Sequence, residues 1–145
     1  MVEKRLLLLV EDNPDDEEVT LRGLRKADLS NCLIQVSRDG QAALDWLFGD
    51  GRLGDPQSGH QPDLILLDLS LPRVSGLDVL KRVRANDRTS LTPVVILTSS
   101  LEAIDRHRCY LSGANSYLQK PTDFDQYVET VRQLGVYWME LNESA

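Results

Sequence analysis

The sequence predicts one α/β domain, a doubly wound parallel sheet of five strands with helices on both faces. Three observations predict it. Short runs such as "LLLLV" (6–10), "LILL" (64–67) and "VVIL" (94–97) are apolar at every position, as strands buried on both faces are. Amphipathic stretches separate these runs, so strands and helices alternate. The chain has 145 residues, enough for one domain with a real core.

Taken in order, Leu6 to Val10 reads as the first strand. Asn13 then caps a helix with Pro14 at its first position, where the missing N–H costs nothing. The acids Asp15, Asp16, Glu17 and Glu18 suit the positive end of that helix dipole, and Leu21, Leu24 and Ala27 carry it on. Leu33 to Val36 is the second strand, and Asp39 caps a short helix holding Leu44, Trp46 and Leu47. Gly49 to Gln61, rich in Gly, Asp and Pro, is a surface loop and not a domain boundary. Asp63 to Leu67 is the third strand. A helix follows around Leu77 to Ala85, with Val79, Leu80 and Val83 on one side. Val94 to Leu97 is the fourth strand. Ser99 and Glu102 have capping-box spacing and open a fourth helix that Gly113 ends; its apolar stripe of Leu101, Ile104 and Leu111 is thin. Ser116 to Leu118 is a short fifth strand. The last helix starts at Thr122 or Asp123 and carries Phe124, Tyr127, Val128, Val131 and Leu134.

Several classes are excluded early. No apolar run approaches the ~20 residues of a membrane span. Leu6 to Val10 is too short and wrongly flanked for a signal peptide, so a cytoplasmic protein is expected. Cys32 and Cys109 lie far apart and read as free thiols. A net charge of −7 opposes phosphate backbones and hence nucleic-acid binding.

Ligand sites in such sheets lie at the carboxyl ends of the strands. Those ends carry Glu11 and Asp12, then Asp68, then Thr98, Ser99 and Ser100, then Lys120 and Pro121. Singly, each has a plain structural reading: Asp68 caps a turn, Thr98 to Ser100 begin a helix, Lys120 is solvated, and Glu11 and Asp12 extend an acidic first turn. Jointly they gather three carboxylates, a hydroxyl and an ammonium on one rim. Crowded carboxylates need protonation or a cation to offset their repulsion. Oxygen-only ligands suit Mg²⁺; neither His60 nor His107 is placed to help, and no zinc pattern exists. Beside Mg²⁺, an ammonium and a hydroxyl, a carboxylate can attack a phosphoryl group and form an acyl phosphate. Asp68, at the end of a rigid strand, is the candidate nucleophile.

At these residues the sequence becomes recognisable. "LLVEDNPDD", "PDLILLDLSLP", "PVVILTSS" and "GANSYLQKP" resemble the receiver domains of two-component response regulators, over roughly residues 5 to 134. The resemblance implies a flavodoxin-like (βα)5 fold with strand order 2-1-3-4-5, filling residues 1–145 as one domain with an extension over 135–145. It implies that Asp68 is the phosphoacceptor, fed by a phosphohistidine on a sensor histidine kinase. Mg²⁺ would be held by Glu11 (through water), Asp12, Asp68 and the backbone carbonyl of Ser70. Lys120 would pair with phosphoryl oxygens, Thr98 would be the switch hydroxyl and Tyr117 the switch aromatic, and the Lys120–Pro121 bond would be cis. Such a protein is a switch, catalysing only its own phosphorylation and dephosphorylation. More narrowly, "VEDNPDD", the long loop and "GVYWMELNESA" look like single-domain receivers that partner bacterial phytochromes; a receiver for another histidine kinase is the alternative.

Because the chain ends soon after the fifth helix, no DNA-binding output domain is expected, and output would come from docking a partner or passing the phosphoryl group on. A homodimer through the helix 4–strand 5–helix 5 face and the tail is one such output. The tail residues Val136, Tyr137, Trp138, Met139 and Leu141 are too apolar for a solvated face; they either pack on the protein's own core or form a dimer or kinase-docking face. Ser70 and Ser100 carry no amide or carboxylate to orient water, which predicts modest autodephosphorylation. A flavin carrier on the same fold needs a phosphate loop where this chain has "EDNPDD". A phosphohydrolase with an Asp nucleophile usually has a second Asp where this chain has Ser70. A receiver-like module that is never phosphorylated would not need Asp68, Thr98 and Lys120.

Overall fold

The computed structural model describes residues 4–49 and 59–145; most of the expected Gly49–Gln61 loop lies outside them. The elements run β1 (Arg5–Val10), α1 (Pro14–Ala27), β2 (Cys32–Ser37), α2 (Gly40–Phe48), β3 (Leu64–Leu67), α3 (Gly76–Ala85), β4 (Val94–Thr98), α4 (Ala103–Leu111), β5 (Ser116–Gln119) and α5 (Phe124–Val136), followed by a π-helical turn over Tyr137–Leu141. The five strands form one sheet in the order β2-β1-β3-β4-β5, and every neighbouring pair is parallel. The expected fold class is the observed one. No helix among the described residues is long and apolar enough to cross a membrane.

Strand side chains alternate between faces, and this alternation divides the core in two. Leu8, Val10, Ile65, Leu67, Val94 and Ile96 face α2 and α3, where they meet Leu44, Leu47, Leu80 and Val83. Leu7, Leu9, Leu64, Leu66, Val95 and Leu97 face α1 and α5, where they meet Leu24, Tyr127, Val131 and Leu134. Continuous apolarity in the three central strands thus has its cause in two separate half-cores.

Two readings need correction, both at α4, and strand β2 and the tail add detail that the sequence left open. Strand β2 is an edge strand, as the expected order requires, and its Leu33 and Ile34 are exposed because no strand among the described residues pairs with its outer side. Helix α4 starts at Ala103 with Glu102 at its N-cap and no side-chain cap bond. The capping-box reading fails because Ser100, not Ser99, is the local acceptor: the Glu102 amide donates to Ser100 Oγ at 3.2 Å. The supposed apolar stripe of α4 faces solvent. Leu101, Ile104 and Leu111 are 76%, 53% and 74% exposed, and Cys109 is the helix's one fully buried side chain. The tail divides between its two readings. Met139 is buried in the α1–α5 half-core with Trp138 packed against it, and the Ser30 amide donates to Glu140 at 3.0 Å, whereas Tyr137 and Leu141 are exposed.

Candidate functional site

Backbone pairing runs one residue past three strand ends. The Glu11 amide donates to Ser37, the Asp68 amide to Val10 at 3.1 Å, and the Lys120 amide to Thr98 at 2.6 Å. Strand alternation therefore still governs these residues. Glu11, Asp68 and Lys120 continue the parity of Leu9, Leu66 and Leu118 and point toward the α1–α5 side. Thr98 continues the parity of Ile96 and points the other way, with Tyr117.

The consequence is a buried charge cluster. Lys120 Nζ lies 2.7 Å from Glu11 Oε1, 2.9 Å from Asp68 Oδ2 and 2.9 Å from Asp16 Oδ2, and Lys120 is only 7% exposed. An ammonium has three donors, and here each has a carboxylate. Burial pulls the Lys120 pKa down, but the bonds to Asp16, Glu11 and Asp68 outweigh it and hold the ammonium above the usual lysine range. Burial acts the other way on Glu11, pushing its carboxyl up to about 7, with Asp68 adding to the shift and Lys120 opposing it. Glu11 also accepts from the Asn13 amide at 3.3 Å.

Asp12 is exposed at the mouth. Carboxylate oxygens of Glu11, Asp12 and Asp68 lie within 4.8 Å of one another. This donor set is all oxygen and all anionic, with one carboxyl already driven toward its neutral form, so it fits a hard divalent cation that would restore charge balance. Ser70 is exposed, and its amide donates weakly to Asp68 Oδ1 at 3.4 Å. Behind Asp68, the start of α3 packs so closely that a Cβ on Gly76 would sit 2.0 Å from the Asp68 carbonyl oxygen. Only glycine fits there, and the phosphoacceptor candidate's backbone is clamped as a result.

Thr98 is buried, and its Oγ1 accepts from the Ser100 amide at 3.2 Å. Ser100 Oγ donates to Asp105 Oδ2 at 2.7 Å. The Tyr117 ring packs against the α2–α3 half-core, and its hydroxyl donates to the Ser100 carbonyl at a long 3.5 Å. Glu11, Asp12, Asp68 and Lys120 thus converge as expected, and Thr98 and Tyr117 form a separate strip beside them. His60 stacks on Trp46 with ring centroids 4.5 Å apart, outside this cluster.

The expected cis Lys120–Pro121 bond is trans, since the described residues contain no cis peptide. Trans is the intrinsically favoured isomer, and Lys120 reaches all its carboxylates with it. Asp16, beyond complementing the helix dipole, joins this cluster, which its place in an acidic first turn does not announce. The missed signal is helical spacing: Asp16 lies one turn before Thr20 on the face that carries Gly23 and Leu24, all three buried. The Asn13 cap, whose Oδ1 accepts from the Asp15 and Asp16 amides at 2.9 and 3.1 Å, starts the helix early enough to bring Asp16 over the rim.

Comparison with known proteins agrees with this geometry. The family described as "Response regulator receiver domain" matches residues 7–132. The probable methanogenesis regulatory protein FilR2 of Methanothrix harundinacea is 37% identical over 139 residues, covering 96% of this chain and 86% of FilR2. Response regulator Rcp1 of Synechocystis is 32% identical over 136 residues, covering 94% and 90%. Among solved structures, the Mn²⁺-bound form of Rcp1 superposes with a TM-score of 0.87 at 30% identity, covering 97% of this chain and 99% of that one. The phosphorylated cyanobacterial phytochrome response regulator RcpA gives 0.87 at 29% identity, covering 98% and 99%. The bacteriophytochrome response regulator AtBRR gives 0.71 at 45% identity, covering 98% and 100%.

Proposed function

The chain belongs to the response regulator receiver domains, and from that premise we propose that it accepts a phosphoryl group on Asp68 from a sensor histidine kinase, in a phytochrome pathway. The observation that carries the reading is the meeting of the Asp68 carboxylate with Lys120 Nζ at 2.9 Å inside an acidic cluster. The phytochrome assignment rests on likeness to AtBRR and RcpA, whose names state that role.

In this reading Asp12, Asp68 and the Ser70 carbonyl would hold Mg²⁺ directly and Glu11 through water, and the ion would supply positive charge against the phosphoryl oxygens. An Asp68 carboxylate oxygen attacks phosphorus, an O–P bond forms, the N–P bond of the phosphohistidine breaks, and its electron pair leaves with the imidazole. Lys120 exchanges its bond to Asp68 for one to a phosphoryl oxygen. The protein is a switch in the cytoplasm, catalysing only its own phosphorylation and dephosphorylation.

The new charge, about −1.5 to −2, draws the Thr98 hydroxyl toward it, and Tyr117 turns into the vacated space. The bonds to be broken there are few and long, at 3.2 and 3.5 Å. Output passes through the α4–β5–α5 face, where exposed Leu101, Ile104 and Leu111 would dock a partner or a second copy. The test is phosphotransfer from purified, phosphorylated kinases. Transfer from a bacteriophytochrome kinase within seconds to minutes supports the reading. Transfer only from an unrelated histidine kinase would leave the receiver function standing and overturn the phytochrome assignment.

A further inference from the structure

We propose that Asp16 is a positioning residue of this site: it keeps hold of the Lys120 ammonium when Glu11 and Asp68 turn to the cation and the phosphoryl group. The inference rests on Asp68 as the phosphoacceptor. All three Nζ donors are engaged, at 2.7, 2.9 and 2.9 Å. Two of the three acceptors, Glu11 and Asp68, belong to the acidic cluster that fits a divalent cation; Asp16 does not. Phosphorylation turns the Asp68 carboxylate into an acyl phosphate whose negative charge lies on the phosphoryl oxygens, which ends the carboxylate's own pairing with Lys120. The cation competes for Glu11. Asp16 is then the one of the three resting carboxylate partners that neither event removes.

Its place is fixed by the fold, because its own amide is capped by Asn13 and α1 is packed on α5. Lys120, on a flexible stem, would otherwise lose its remaining tether when it is needed at the phosphoryl oxygens. Asp16 is also a negative charge beside an incoming anion. If repulsion governed, removing it would strengthen anion binding. Anchoring and repulsion therefore predict opposite signs.

The experiment measures the affinity for trifluoroberyllate, a tetrahedral anion that adds to a carboxylate as a phosphoryl group does. Fluorine NMR reads it at saturating Mg²⁺ in the full chain, with folding checked by amide NMR. Asp16→Ala is expected to weaken binding by about fivefold, the scale of one partly exposed ion pair, while Asp15→Ala, with the same charge lost one residue away, stays within about twofold. Asp16→Glu restores most of the loss. Equal or tighter binding by Asp16→Ala, or an equal loss in Asp15→Ala, overturns the proposal. Should Asp16→Ala not fold, Asp16→Asn is read by the same criterion. If wild type itself binds no trifluoroberyllate, the phosphoacceptor reading falls; if wild type binds and Asp68→Asn does not, that reading stands whatever Asp16 does.

Discussion

Two inward-reaching cations sit at opposite ends of this sheet, and they are held in opposite ways. At the carboxyl ends of the strands, Lys120 is bound by three carboxylates. Near the amino ends of β4 and β5, Arg84 donates to the carbonyls of Gly113, Thr89, Ser90 and Thr92 and to Asn115 Oδ1, at 2.7 to 3.4 Å. Among the described residues it makes no ion pair. Burial lowers its pKa below the usual arginine value, yet a guanidinium stays charged. Neutral acceptors carry no net charge for another cation to claim, so the Arg84 end is a permanent clasp. Carboxylates can be claimed by a divalent cation, so the Lys120 end is exchangeable. The same contrast separates the end of the fold with the candidate site from the end that holds it together.

Lys120→Met would break this contrast most severely. It strands three acids without a counter-charge, and the expected cost is about 3 kcal/mol of stability in EDTA, the scale of a broken buried pair. Urea unfolding should show it, with Mg²⁺ restoring part of the loss. A loss that Mg²⁺ leaves untouched would mean the cluster does not hold the ion.

Arg84→Met comes next, at about 2 kcal/mol, because several carbonyls lose a charged donor at once. Its loss should be the same with and without Mg²⁺, which sharpens the contrast with Lys120. Gly113, which receives this clasp, adopts φ +102, a region natural to glycine. Arg84 therefore pins the C-terminal end of α4 to α3, and any movement of α4 is expected at its uncapped N-terminal end.

A third test uses pH. Glu11 has a carboxyl pKa of about 7 in the fold against an ordinary 4.5. The native state thus holds the proton more tightly, so its contribution to stability is present below about pH 4.5 and is lost as pH rises through 7. Metal-free protein should lose stability between those values, and Glu11→Gln should flatten that part of the curve. A flat wild-type profile in EDTA would refute the strain assigned to this carboxyl.

Thr98→Ala has the smallest expected effect on stability, about 1 kcal/mol or less, since a single long bond is lost. Phosphorylation of Asp68 should survive, while phosphorylation-dependent partner binding or dimerisation should fail in sedimentation. Retained dependence would refute the Thr98–Tyr117 route.

What was legible in the sequence follows from this same division. Glu11, Asp68 and Lys120 are legible because each directly follows a strand, at the carboxyl edge where such sheets bind ligands; that parity turns Thr98 the other way shows only in the fold. Asp16 was hidden because an acid in a first helical turn already has a sufficient reason to be there; only its spacing to buried Thr20 distinguished it. The start of α4 was misplaced because capping-box spacing can occur without its hydrogen bonds, and here Ser100 spends its hydroxyl on Asp105. Leu101, Ile104 and Leu111 read as an apolar stripe, but hydropathy alone does not say whether such a stripe faces the core or, as here, solvent. The isomer of Pro121 and the half-packed tail depend on tertiary contacts that no local pattern records.

The most direct measurement incubates wild type and Asp68→Asn with acetyl phosphate, with and without Mg²⁺, and weighs the products by mass spectrometry. The account predicts a gain of one phosphoryl group in wild type with Mg²⁺ and none in the other three samples. A metal-independent gain, or an equal gain in Asp68→Asn, would contradict it.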